Sequence, residues 1–205
     1  MSKKLVHVAL TGSRKSGKDG VAKLFRQLGV PVFEADAVLK YILNYRDDVV
    51  ASVRKHFGNE YIIGDYINPM AFDTDQKFDD LLNLVEFDLF EAYSKFNKNN
   101  SDKSYTIFHS SLIFERNWRS KFDYTITVFT PKEDRMYRYR IETGDSVKVV
   151  DTLFSKEMPD LSKNTLSDYI IHNYDGCPDI VKQVTNIDQQ LVDNCIKRNK
   201  PVFVM

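Results

Sequence analysis

Residues 12–19 read Gly12-Ser13-Arg14-Lys15-Ser16-Gly17-Lys18-Asp19, two glycines separated by four residues and followed at once by a lysine. That spacing suits a loop that wraps an anion. Successive backbone N–H groups converge on phosphate oxygens, the glycines let the chain turn and come close, and a following helix N-terminus adds about half a positive charge. Lys18 supplies a compact cation for the outer phosphates, and Arg14 and Lys15 add local positive charge. Gly20 follows in the same helix start, and the segment from Gly12 to Gly20 is expected to hold the phosphates of ATP. One position departs from the pattern. A Ser or Thr normally follows the lysine and places its hydroxyl on Mg²⁺. Here Asp19 stands there, a carboxylate that can take the metal directly or through water while adding negative charge beside the phosphates.

Such a loop needs a strand to deliver it and a helix to leave it. Leu5 to Leu10 is a nearly continuous apolar run, the signature of a strand buried on both faces. Val21, Leu24, Phe25 and Leu28 then recur at helical spacing, and Gly29 ends that helix. Val30-Pro31-Val32-Phe33 makes a second strand, followed by Glu34-Ala35-Asp36 and another helix. This strand–loop–helix–strand unit opens an α/β fold. Further on, Val49, Val53 and Phe57 share a helical face, Asn59 to Pro69 reads as an irregular stretch or short hairpin, and Phe78 to Phe96 carries a long amphipathic stripe. Asn97 to Lys103 is a polar loop. Tyr105–Phe108 and Tyr124–Phe129 read as buried strands, Arg135 to Glu142 as a helix, Asp168 to His172 as a last strand, and Ile180 to Leu191 as a closing helix.

With these segments in place, the chain resembles the dephospho-coenzyme A kinase family. The resemblance rests first on VALTGSRKSGKDGVAKLFRQLGVPVFEAD, a strand, phosphate loop, helix ending in Leu-Gly, strand and acidic motif that the family writes D-A-D. It continues through Ser110 to Glu115 (SSLIFE), FDYTITVFTPKEDRMYR, Glu157-Met158-Pro159, Lys163 and Ser167 to Asn173, in the family's order nearly to the C-terminus. The resemblance implies ATP-dependent phosphorylation of the ribose 3′-hydroxyl of dephospho-CoA. It assigns Asp36 as the general base, Glu34 as a second acidic residue for metal or orientation, Arg138 as a lid arginine, and Asn173 to a loop near the adenine of ATP. Three positions depart from the family: a second lid arginine falls on Glu142, a further one on Leu153, and the His-Pro pair of the substrate helix is replaced near Glu86-Phe87-Asp88. Arg140 or Arg135 stands close enough in sequence to supply the missing lid charge.

Other residue types weigh less. His109 ends a strand just before Ser110-Ser111, but no G-x-S-x-G elbow or acid partner accompanies it in sequence, so a hydrogen-bonded core histidine is expected. Trp118 is expected to pack rather than to stack on a ligand, and Glu115 and Arg116 form a candidate acceptor-side polar pair. Cys177 and Cys195 form no CxxC motif and read as free thiols.

The 205 residues bound the answer to one domain with small insertions, and 29 basic against 29 acidic residues ask for neither nucleic acid nor an acidic membrane. No stretch approaches a membrane span, and the opening MSKKLVHVALTG lacks a signal-peptide pattern, so a cytoplasmic protein is expected, a monomer or weak homo-oligomer. The expected fold is a single three-layer α/β/α P-loop kinase domain over residues 1–205. Its five-stranded parallel sheet has order 2-3-1-4-5 and strands near 4–11, 31–34, 105–109, 123–129 and 168–172. A helical acceptor subdomain is placed near 40–100 and a lid near 132–160. The expected partner is a small nucleotide, dephospho-CoA or a deoxynucleoside monophosphate, with ATP and Mg²⁺. Two alternatives stay open beside the CoA reading. The Ser16-Gly17-Lys18-Asp19 run is similar to that of phage-type deoxynucleoside monophosphate kinases, and Asp19, Glu142 and Leu153 would suit a nucleotide-binding module without transferase activity.

Overall fold

The structure is a computed structural model that describes residues 5–68, 71–72, 74–155 and 157–198. Lys4 of the expected first strand, residues 69, 70 and 73 of the middle region and residue 156 of the expected lid lie outside it. Along the chain run β1 (Val6–Thr11), α1 (Lys18–Gln27), β2 (Val32–Glu34), α2 (Ala35–Tyr45), α3 (Asp47–Phe57), β3 (Ile62–Ile63), β4 (Tyr66–Ile67) and α4 (Asp75–Asn99). Then come β5 (Tyr105–His109), β6 (Tyr124–Phe129), α5 (Lys132–Thr143), α6 (Val147–Ser155), α7 (Asp160–Leu166), β7 (Tyr169–His172) and α8 (Ile180–Arg198). They fall into two compact units, residues 34–99 and the remainder.

The larger unit is built on a parallel sheet of order β2-β5-β1-β6-β7, which reads 2-3-1-4-5 when its five strands are counted alone. β1 lies at the centre because its residues are apolar on both faces. Val6, Val8 and Leu10 alternate into a cluster with Ile107, Ile126, Val128 and Ile171, against Val21, Ala22 and Phe25 of α1 and Val184, Ile187 and Leu191 of α8. The intervening side chains face the other way, as strand alternation requires. There Phe108 meets Phe33, Trp118 and Phe122 at ring-centroid distances of 5.4, 6.1 and 5.1 Å. Thr125 and Thr127 turn toward Ser167 and Asp168 at the end of α7. The sheet is thus covered on both faces.

Four of the five strands start later than the sequence suggests, β1 at Val6 among them. Pro31 has no N–H to give, but its carbonyl accepts from Ile107 N at 2.9 Å, and β2 begins at Val32. Asp123 and Asp168 bond with their side chains at the strand mouths. The Asp123 carboxylate accepts from His7 N at 2.9 Å, and that of Asp168 accepts from Thr125 N at 2.7 Å, so β6 and β7 begin one residue on. α1 ends as Gly29 allows. Gly29 takes φ +82°, Val30 N reaches back to Phe25 O and Gly29 N to Arg26 O, the paired bonds of a Schellman motif.

The smaller unit packs α2 and α3 with α4, and β3 and β4 form an antiparallel hairpin. α4 runs to Asn99, so the polar loop after it is shorter than its composition implies. Phe57, Tyr61 and Phe72 gather in one aromatic cluster with centroids 4.9–5.4 Å apart.

Candidate active site

β1 delivers residues 12–17 to the N-terminus of α1, at the carboxyl edge of the sheet where α/β folds bind ligands. Lys15 and Gly17 take φ of 60° and 85°, and Ser16 N donates to Ser13 O at 3.1 Å, curling the loop. Both glycines are required by space as well as by torsion. A Cβ on Gly12 would lie 2.5 Å from Ser16 Oγ and 2.8 Å from Val128 O, and one on Gly17 would lie 2.1 Å from Asn173 Nδ2. Ser13 and Ser16 are buried, and the Ser16 hydroxyl has no hydrogen-bond partner among the described residues. Such an orphaned donor matches a phosphate oxygen. Lys18 opens α1, half-buried, and pairs with no carboxylate among the described residues. Gly20 follows one position after Asp19, exposed and with open space where a Cβ would go.

Asn173, just past β7, is tied to this loop. Its Nδ2 donates to Ser16 O at 2.8 Å, its backbone N to Phe129 O at 2.9 Å, and its carbonyl accepts from Thr130 Oγ1 and from Arg138 Nη2 at 2.8 and 3.1 Å. Arg138 Nη1 reaches Lys15 O at 3.4 Å. Arg138 and Asn173 therefore stand together at the loop. Arg140, two residues on in α5, is exposed.

Arg135 cannot substitute for a lid arginine, because it is a structural hub. It is 2% exposed and donates to Thr130 O, Arg14 O, Glu157 Oε2 and Asp160 Oδ2 at 3.0, 3.2, 2.7 and 2.8 Å. The same two carboxylates hold the loop directly. Ser13 Oγ donates to Asp160 Oδ1 at 2.9 Å and Arg14 N to Glu157 Oε1 at 3.2 Å. The loop-tip charges are also matched by acids: Lys15 pairs with Glu142, and Arg14 Nε lies 3.6 Å from Glu157.

His109 corrects the sequence expectation that it has no acid beside it. At the end of β5, next to β1, its Nε2 lies 3.4 Å from Asp19 Oδ1. The imidazole is buried and the carboxylate is 82% exposed. Glu115 likewise pairs elsewhere than with Arg116, bridging the 2% exposed Lys163 at 2.6 Å. Trp118 is 2% exposed and belongs to the core. In the smaller unit Glu34 precedes α2 as its N-cap residue, and Asp36 lies exposed within the first turn. Asp88, in the stretch that departs from the family's substrate helix, pairs with Arg46 at 2.6 Å. That pairing and the closer one to Asp48 push the Arg46 guanidinium well above its ordinary value, Asp48 contributing more.

Residues 6–179 match the family model described as dephospho-CoA kinase. The dephospho-CoA kinase of Aquifex aeolicus is 27% identical over 190 residues, 90% of this chain and 96% of that protein. Among solved structures, a Thermus thermophilus protein superposes with a TM-score of 0.76 at 20% identity, covering 94% of this chain and 98% of the other. Dephospho-CoA kinase from Campylobacter jejuni superposes with a TM-score of 0.64 at 17% identity, covering 92% and 98%. At those identities the superpositions speak to the fold.

Proposed function

Because the chain belongs to the dephospho-CoA kinase family, we propose that it moves the γ-phosphoryl group of ATP to the ribose 3′-hydroxyl of dephospho-CoA. The observation that carries this is the loop of residues 12–17, bent between β1 and α1 with a buried Ser16 hydroxyl that has no hydrogen-bond partner among the described residues and with Lys18 at the first helical position. Its backbone amides and the helix end attract phosphate, and Lys18 neutralises charge on the outer oxygens. Arg138, held beside Gly17 by Lys15 O and Asn173 O, is the arginine proposed to meet the transferred group, with Arg140 a secondary candidate. Asp36 is the carboxylate proposed to take the hydroxyl proton, and its place in the first turn of α2 leaves it exposed. In-line transfer then needs only that the two substrates be held in register.

A divalent cation, Mg²⁺ in the sequence expectation, would spread charge over the phosphate oxygens when bound. Asp19 and Glu34 are the carboxylates proposed for it. Asp19 fits that role: it is exposed beside the phosphate loop, with an imidazole rather than a lysine or arginine facing it.

One observation favours a second reading, a nucleotide-binding homologue without transfer. The cationic loop tip is matched by Glu142 and Glu157, and Glu142 occupies a position the family gives to arginine. A substrate panel decides. ADP release with ATP and dephospho-CoA supports the proposal. Release with deoxynucleoside monophosphates only would replace the acceptor, and ATP binding without transfer to any acceptor would favour the second reading.

A further inference from the structure

The residue after the loop lysine and the residue facing it are a carboxylate and an imidazole. In P-loop sites the Mg²⁺ that accompanies the phosphates is held by the loop's Ser or Thr hydroxyl and a separate Asp, an all-oxygen set. Here the loop position carries the Asp19 carboxylate, and the side chain facing it is the His109 imidazole, with Nε2 3.4 Å from Oδ1. Neighbouring donors on an octahedral cation with bonds of about 2.1 Å stand roughly 3.0 Å apart. The exposed Asp19 side chain closes that difference by a small rotation. His109 is fixed, since it is 4% exposed at the end of β5, whose register with β1 pairs it to Leu10, the residue before Thr11. The two donors therefore meet beside the phosphate loop, one rigid and one adjustable.

We infer that Asp19 and His109 together hold the divalent cation of the nucleotide complex, and that this nitrogen–oxygen pair favours a first-row transition-metal cation over Mg²⁺. Mg²⁺ demands oxygen and gives up its waters reluctantly, whereas imidazole suits the transition metals. Phosphate oxygens and water would supply further donors. The inference rests on the proposal that residues 12–19 bind a nucleotide, and it deepens that proposal by assigning the metal.

The test uses the full chain with ADP and Mn²⁺, read by pulsed electron paramagnetic resonance. The wild-type complex should show ¹⁴N modulation from a directly bound imidazole, and protein made with ¹⁵N-histidine should replace it with the ¹⁵N pattern. His109→Asn should lose the coupling while retaining ADP, and its preference for Mn²⁺ over Mg²⁺, measured by calorimetry, should fall by at least about tenfold. His109→Asp, which restores an oxygen donor, should shift the preference toward Mg²⁺. A Mn²⁺–ADP complex of the wild-type protein without nitrogen coupling overturns the inference and leaves the kinase proposal standing. Failure of ADP to bind at all overturns both. The wild-type spectrum decides even where a variant does not fold.

Discussion

At the scale of single residues the proposal turns on charge placed at fixed atoms. Asp36→Asn keeps shape and removes the base, so turnover with dephospho-CoA should fall by about 10²–10⁴-fold. A steady-state assay checks it, and an unchanged rate removes Asp36 from the mechanism. Gly17→Ala tests the loop itself. The position has φ 85°, and its new Cβ would meet Asn173 Nδ2 at 2.1 Å. The substitution should cost about 1–3 kcal/mol in strain, visible in denaturant unfolding, and weaken ADP binding by pushing the Asn173 amide off Ser16 O. The loop was legible in the sequence because its glycines and lysine are adjacent, so spacing alone states the chemistry. The pairs Asp19 with His109 and Ser16 with Asn173 were not legible, because each joins residues far apart in the chain that only the strand order brings together.

At the scale of elements, α5, α7 and the turn before α7 act as one clamp on the loop through Arg135. The guanidinium is buried with Glu157 and Asp160, so deleting one partner strands charge in the interior. Glu157→Ala should therefore destabilise the protein by about 3 kcal/mol in chemical denaturation, more than an exposed ion pair would. A smaller loss would mean that the Arg135 charge finds water. The long elements announced themselves. β1, the stripe of the 25-residue α4 and the closing α8 have apolar periods that few other structures can use. The short helices α6 and α7, of nine and seven residues, span too few turns for a period to show. The sequence expectation places a lid near residues 132–160, while the clamp on the loop was not legible, since Glu157 and Asp160 look like ordinary surface acids until Arg135 is placed between them.

At the scale of the whole molecule, the closing helix is bonded to the sheet by a titratable contact. Tyr105 on β5 donates to Asp188 Oδ1 on α8 at 2.5 Å. Burial first, and then that hydrogen bond, push the Tyr105 phenol far above its ordinary value. A group whose folded value is raised contributes its full stability below the unfolded value of about 10 and loses it as pH rises beyond. Melting temperature should thus fall as the pH is raised above about 10, and Tyr105→Phe should flatten that decline. Thermal melts read beside tyrosinate absorbance check both. Among the described residues no helix is long and apolar enough to cross a membrane.

The chain has equal numbers of acidic and basic residues, and at the mouth of the phosphate loop Lys15 faces Glu142 while Arg14 faces Glu157. Seen from a distance such a doorway has little potential to offer an approaching polyanion, and attraction begins only within a few ångströms of the amides. Capture of ATP should then proceed without long-range guidance, at a rate that stopped-flow measurements find nearly indifferent to ionic strength, while the residence time alone reports how well the nucleotide is gripped.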